Sequence, residues 1–433
     1  MNVRKSVAPA LAALMLLLSI APAWATPARA ADAPIKLELL SFPDHPKQTL
    51  LEVYERSGLP YELSIVEVPQ NQYEQKVRMK LFSGEAPDLV LIDTPNIASY
   101  AVTGALEPLD GYWDAADFAD LVDSSREALR YDGHIWAAPL NQADCLLFYN
   151  KALLAAEGIT PATSLEDAWT LEQLLDAAKR LTKTDATGRI VQYGLLPSMF
   201  TPDNKNEGMA FTQMLYTGWF GAEVLDPDGS AASGYFDAPE SIEAVRFYAD
   251  LFGKYRVAPR EEIPNGFAEG KIAMWITGPW LLGAWKESHP AFYEGGWGAM
   301  PLPRGASRAS ASGSWNIAIT RDCRDKAAAW RVIEALTGAD AMRLWCDRTG
   351  NLPARKSILD AGDAYRTEPP YDILSAQLLF VARPRPVSPF YPEISEALVD
   401  CFNSAAFGAD PEQAVRAATA RIDAALGAPG RLR

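Results

Sequence analysis

Apolar and polar residues alternate from Ile35 to Phe42 (IKLELLSF) and then run apolar, the pattern of an opening strand in a covered sheet. Tyr73, Val77 and Leu81 recur at helical spacing, and Ser83-Gly84 closes that helix. Pro87 forces an extended start to Asp88-Leu-Val-Leu-Ile-Asp93, which reads as a buried strand. Further strands are expected near 35–42, 88–93, 135–149, 271–276, 297–302 and 314–320. The recurring order of strand and helix predicts an α/β fold whose sheets are mostly parallel.

Three helices announce their own starts. Thr170 with Gln173 forms a capping box before Leu171, Leu174, Leu175, Ala178 and Leu181. Asp237 with Glu240 predicts the same before Ile242, Val245, Tyr248 and Phe252. Asp410-Pro411 with Gln413 opens a C-terminal helix that turns Val415, Ile422 and Leu426 inward. Trp330, on a helical face with Ile333, is expected in the core, whereas Trp113, Trp136, Trp219 and Trp275 take no assignment from pattern alone.

The first thirty residues read as an export leader. Arg4 and Lys5 precede an apolar run, Leu11 to Ile20, that is too short to span a bilayer comfortably. Small-x-small sites follow at Ala23/Ala25 and Ala28/Ala30, and cleavage is expected after Ala30. No Cys follows the apolar run, so lipid attachment has no acceptor and free diffusion in a periplasm is expected. The remaining chain exceeds what one core supports, which calls for two lobes.

Formal charge is −15, and loss of the three leader cations makes it −18. So acidic a chain repels phosphate backbones and argues against a nucleic-acid partner. The three His, at 45, 134 and 289, are far apart, and no cysteine pair has metal-ligand spacing, so neither a metal, a cofactor nor a hydrolytic triad is expected. One disulfide is plausible in an oxidising compartment among Cys145, Cys323, Cys346 and Cys401. Cys323 and Cys346, flanking one predicted helix, are the preferred pair.

A longer ordered set of motifs resembles one family. Tyr73-x-x-Lys76, Ser83-Gly84-x-x-Pro87-Asp88-Leu89, Asp93 and Gly104-x-Leu106-x-Pro108-Leu109 come first. Gly133 to Pro139, Phe148-Tyr149-Asn150-Lys151 and Phe267-x-x-Gly270-Lys271-x-Ala273-Met274-x-x-x-Gly278-Pro279-Trp280 follow. Ser312-Gly313-Ser314-Trp315 and Thr349-Gly350-Asn351-Leu352-Pro353-Ala354 complete the set. The chain thus resembles the extracellular sugar-binding proteins of ABC importers, and is similar to those for maltose and trehalose. The resemblance implies two discontinuous α/β lobes joined by a three-segment hinge. Lobe one would be 34–143 with 302–348, and lobe two 144–301 with 349–433. It also implies carbohydrate capture without catalysis, a membrane permease as partner, and a monomer.

In such sheets ligands bind outside the carboxyl ends of strands, where aromatic rings meet sugar C–H faces and polar groups meet hydroxyls. Candidate ligand residues are therefore Phe42, Asp93, Asn141, Gln142, Asp144, Trp280 and Trp315. Trp280 and Trp315 are expected on loops as stacking rings. Arg355 and Glu393 are further candidates, the former matching a family motif with a partly structural role. Maltose-type relatives carry Glu at the first crossing where this chain has Ala143 beside Asp144, which leaves the sugar open. Two alternatives stay open beside capture of a sugar. One is a secreted carbohydrate-active hydrolase or lyase using Asp93 and Asp144, since two carboxyls across a bond suffice; the other is the same fold with a polyol or glycerol phosphate.

Overall fold

The computed structural model describes residues 34–361 and 364–427, so the expected leader lies outside the described residues. The strands that position the site are β1 (Lys36–Ser41), β2 (Glu62–Glu67), β3 (Leu89–Asp93), β4 (Ala138–Pro139), β5 (Leu146–Asn150), β6 (Met274–Thr277), β7 (Trp297–Met300), β8 (Ser310–Ser312), β9 (Trp315–Ile319) and β10 (Ala382–Pro384). One sheet runs in the order β2-β1-β3-β9-β4, a second β6-β5-β7, and a third pairs β8 with β10.

The sheets are less parallel than the alternation of strand and helix predicts. β1 is parallel to β2 and β3, but β9 is antiparallel to β3 and β4, and β5 is antiparallel to both β6 and β7. The cause is the path of the chain. β9 re-enters the sheet after the chain has passed through β5 to β8, from the end at which β3 leaves it, whereas β4, antiparallel to β9, runs in the direction of β3. The expected strand 135–149 is broken for the same reason. The backbone pairs at His134–Ile135 and at Ala138–Pro139, leaves, and resumes pairing at Leu146–Asn150.

Two large apolar clusters hold the molecule. The first gathers Leu39, Leu89, Leu91, Leu140, Ile317 and Trp345, and the segment from Leu352 to Leu378 packs on it. The second gathers Leu147, Leu174, Trp219, Tyr248, Ile276, Met300, Leu398 and Ile422. β3 is buried at every residue, which is why its sequence runs apolar without alternation.

Local signals explain most helix starts. Thr170 and Gln173 form the expected capping box, which contributes about 1 kcal/mol. Asp410 accepts from the Gln413 amide, also as expected. The helix Gln70–Ser83 ends on Gly84 at φ 78°. The box expected at Asp237 and Glu240 does not form. Pro239 sits in the first turn of the helix Pro239–Phe252, Ala238 is its N-cap, and Asp237 instead accepts from the Gly234 amide at 2.6 Å.

The expected Cys323–Cys346 bridge is likewise corrected, since all four cysteines are buried free thiols. Not one but two helices follow Cys323, Lys326–Thr337 and Ala339–Thr349, and Cys346 lies on the second. Cys323 faces Asp88 and Asp325, whereas Cys346 lies by Asp347 and Tyr365.

Candidate ligand-binding cleft

An aromatic cluster forms where β1, β3 and β9 end or begin. Phe42, just beyond β1, is fully buried; its ring centroid lies 4.4 Å from Trp315, 4.7 Å from His45 and 4.9 Å from Tyr73. The Tyr73 hydroxyl reaches the Leu40 and Leu91 carbonyls at 2.9 and 2.8 Å, tying the helix Gln70–Ser83 to both strands. His45 stacks on Trp345 at 5.8 Å with planes 4° apart. Burial pushes the His45 imidazole down to about 3, so it is neutral, and its Nδ1 finds no partner. Trp315 stays half-buried. It is the first residue of β9, in register with Asp93, rather than on the loop the sequence suggested.

Gly313 makes this placement of Trp315 work. Its φ of +128° disfavours a side chain, and a Cβ there would approach Arg385 Nη2 to 3.1 Å and Thr94 to 3.4 Å. Its amide donates to Gln142 Oε1 at 2.9 Å. Beside it, the Thr94 hydroxyl donates to the Ser314 carbonyl at 2.6 Å and accepts from the Ser314 amide at 2.9 Å.

Next to the rings lies an ionic centre. Asp93, the last residue of β3, is held bidentately by Arg385, with Nη2 to Oδ1 at 2.7 Å and Nη1 to Oδ2 at 2.9 Å. Nη1 also reaches Glu207 Oε1 at 2.8 Å, at the start of the helix Glu207–Phe220. The Tyr391 and Ser395 hydroxyls donate to Glu207 as well. The guanidinium lies 5.0 Å from the Phe211 ring centroid. Burial would lower the Arg385 pKa, but Asp93, Tyr391 and Glu207 outweigh it and raise it. Burial raises Glu207, against the pull of Arg385. Asp93 packs with the first cluster's sheet and Glu207 heads a helix of the second, so Arg385 links the two bodies.

The remaining expected residues lie around this centre or away from it. Asn141 and Gln142 are buried between β4 and β5. Asn141 donates to Ser314 Oγ at 2.7 Å and accepts from Trp345 Nε1 at 3.2 Å, and the Gln142 and Leu352 backbones pair there. Asp144 is 0% exposed; its oxygens accept from the Cys145 amide at 2.6 Å and from Gln377 Nε2 at 3.1 Å. Burial pushes its carboxyl up to about 8, despite these donors.

Trp280 is half-buried at the N-cap of the helix Leu281–Ser288, 6.3 Å from Phe211. Arg355, 2% exposed, binds Asp117 at 2.7 Å and the Thr337 carbonyl at 3.0 Å, away from the rings. Glu393 lies on the helix Tyr391–Ala406 between Tyr391 and Ser395; those two share the face that meets Glu207, while Glu393 points off it.

Three residues at the centre escaped the sequence reading: His45, Glu207 and Arg385. Arg385 stands between two prolines, in Arg383-Pro384-Arg385-Pro386, and extended backbone with no periodicity was its only signal. Two surface cavities, of about 430 and 580 Å³, lie elsewhere and include none of these residues.

Residues 49–370 match the model of the bacterial extracellular solute-binding proteins, and the chain belongs to that family. A putative binding protein of Brucella abortus is 25% identical over 383 residues, covering 87% of this chain and 88% of its own. A mannitol-binding protein of Pseudomonas aeruginosa is 27% identical, covering 75% and 73%. In three dimensions the chain is similar to an ABC transporter solute-binding protein from Thermotoga lettingae bound to α-D-tagatose. That match has a TM-score of 0.76 and 25% identity, and covers 91% of this chain and 100% of that one. The two-lobed α/β fold expected from the motifs is therefore the fold observed.

Proposed function

We propose that this chain captures a carbohydrate between its two lobes, leaves it chemically unaltered, and hands it to the membrane permease of an ABC transporter. The observation that carries this is the half-buried Trp315 ring beside the Asp93–Arg385–Glu207 centre, at the carboxyl end of the first sheet. An aromatic face with adjoining carboxylates is what a sugar's C–H face and hydroxyls require. Relatives that bind mannitol and tagatose support the same class.

In this reading lobe one is 34–143 with 302–348, and lobe two is 144–301 with 349–433. The grouping of Leu39 to Leu140 with Ile317 to Trp345, and of Leu147 to Met300 with Ile394 to Ile422, supports the main division, whereas Leu352 to Leu378 packs with the first cluster and Ala309 and Ala311 with the second. Trp315, Asp93 and Phe42 would form the lobe-one wall; Trp280 and Glu207 would face it from lobe two. Asn141, Gln142 and Asp144 would act at the hinge and not at the ligand. The protein would be exported, lose its leader after Ala30, and work as a periplasmic monomer.

The competing reading, a carbohydrate-cleaving enzyme, needs two available carboxyls. Asp93 is anchored bidentately by Arg385, which leaves it poorly placed to move a proton or attack a bond, and Asp144 has no exposed surface; both weigh against cleavage. A thermal-shift screen of mono- and oligosaccharides, polyols and phosphorylated polyols tests the proposal. A ligand at 100 times its dissociation constant adds about 2.7 kcal/mol. Stabilisation by a sugar that is recovered intact after long incubation is expected; cleavage products would instead establish the enzyme.

A further inference from the structure

Arg385 stands where the two apolar clusters meet. It follows β10, whose Ala382 packs on the first cluster, and β10 pairs with β8, whose Ala311 belongs to the second. Its guanidinium reaches in both directions. Toward the first sheet it makes two hydrogen bonds to Asp93, at 2.7 and 2.9 Å. Toward the second cluster it meets Glu207 at 2.8 Å and lies 5.0 Å from the Phe211 ring centroid. Glu207 and Phe211 are four residues apart on the helix Glu207–Phe220, so they present one face to it. Beside this contact the helix Tyr391–Ala406 packs against the single helical turn Thr94–Asn96 that follows Asp93.

The two arms of the bridge are unequal. Asp93 takes both of its bonds from the guanidinium and is 12% exposed, so parting them would strand a buried carboxylate. Glu207 takes one bond, is 37% exposed, and also holds the Tyr391 and Ser395 hydroxyls on its own side of the cleft. Separation of the lobes therefore breaks the Glu207 arm and leaves Arg385 with Asp93.

Resting on the division into lobes given above, we propose that Arg385 is a latch. It closes on Glu207 and Phe211 as the lobes meet, and it holds them together in a substantial share of molecules before any solute arrives. Part of the free energy of closure then comes from the protein itself, and the solute supplies only the remainder.

Small-angle scattering of the mature chain at pH 7.5, without sugar, tests this on the parent, Glu207→Gln and Arg385→Lys. Glu207→Gln removes the charge from the weaker arm and leaves the Asp93 pair in place. Arg385→Lys keeps a cation for Asp93 but loses the fork that serves two carboxylates at once. The unliganded parent is expected to be compact and both variants wider, from a closed-to-open ratio about tenfold lower for one charge-assisted hydrogen bond lost. Thermal melts establish that each variant is folded, and either one decides the question. An unliganded parent as wide as the variants, or a folded variant as compact as the parent, overturns the latch. No sugar enters this comparison, so its outcome is independent of carbohydrate capture. On adding the best sugar from the thermal-shift screen, both variants are expected to contract to the parent's liganded radius, with affinity lower by up to about tenfold. Weaker binding without a wider unliganded form overturns the latch and leaves Glu207 a ligand contact only.

Discussion

Asp144 sets two physical effects against each other, and the pH dependence of stability shows which one wins. Amide and side-chain donors from Cys145 and Gln377 favour the carboxylate, while complete burial favours the neutral acid. With its carboxyl raised to about 8 in the fold, against about 3.9 in an unfolded chain, the folded protein holds one extra proton between those values. The stabilisation is complete below about pH 4 and is lost as pH rises through about 8. Over the middle of that range the slope approaches about 1.4 kcal/mol per pH unit. For a chain of this size that is about 2 °C in Tm per unit. Asp144→Asn keeps the shape and an acceptor for Cys145, while the Ser310 hydroxyl, which favours the Asp144 carboxylate, can turn to accept from the new amide. It forfeits the acceptor for Gln377, which still donates to the Cys145 carbonyl at 2.8 Å, a loss of about 1 kcal/mol. The variant should therefore be less stable than the parent at about pH 3.5, level with it near about pH 4.5, and clearly more stable at about pH 9. Thermal melts of both proteins across this range give the difference curve. A flat curve, or one of opposite slope, means that the donors win, the carboxyl is ionised, and burial has been overvalued.

Three further substitutions test the packing around the cleft and crossing. His45→Phe replaces a neutral imidazole with an unpartnered Nδ1 by a ring of similar shape, so it should stabilise by about 1 kcal/mol at pH 7. Because the His45 pKa is depressed to about 3, the parent loses stability as pH falls below 6.5, and the variant's advantage should grow toward pH 4 in urea titrations. Gly313→Ala should cost about 1–3 kcal/mol in the same titrations, from positive φ and a Cβ pressed on Thr94 and Arg385, and should weaken binding by displacing Trp315. Arg355→Ala should cost about 3 kcal/mol by breaking a buried network, and its sugar affinity by calorimetry should match the parent's.

What the sequence makes legible follows from the range of each interaction. β1 and β3 show in the pattern because burial of consecutive residues is written into consecutive letters. Thr170 and Asp410 are legible as caps because a cap and its acceptor amide lie three residues apart. Pro239 shows the limit of that rule, since it moves the helix start past Asp237. The ionic centre has no local signature at all. Asp93 and Arg385 are 292 positions apart, and neither charge marks itself as paired. Asp93, Phe42 and Trp315 could be chosen because they end or begin strands, and Asp144, chosen from the turn after Gln142, is fully buried. A polar residue at a crossing looks alike in sequence whether it faces a ligand or is shut inside the hinge. Strand direction after a crossing was hidden too, because it depends on the end from which the chain re-enters the sheet.

The central claim is that a sugar binds between the lobes against Trp315, and calorimetry of Trp315→Ala with the best sugar from the thermal-shift screen tests it most directly. Loss of the ring should weaken binding by about 1–3 kcal/mol. Part of the ring also packs on Phe42, so some stability is lost too, and Trp280→Ala, from the opposite wall, serves as the second arm. The account predicts weaker binding in both variants with a cooperative fold retained. A folded Trp315→Ala protein that binds the sugar with the parent's affinity would contradict it.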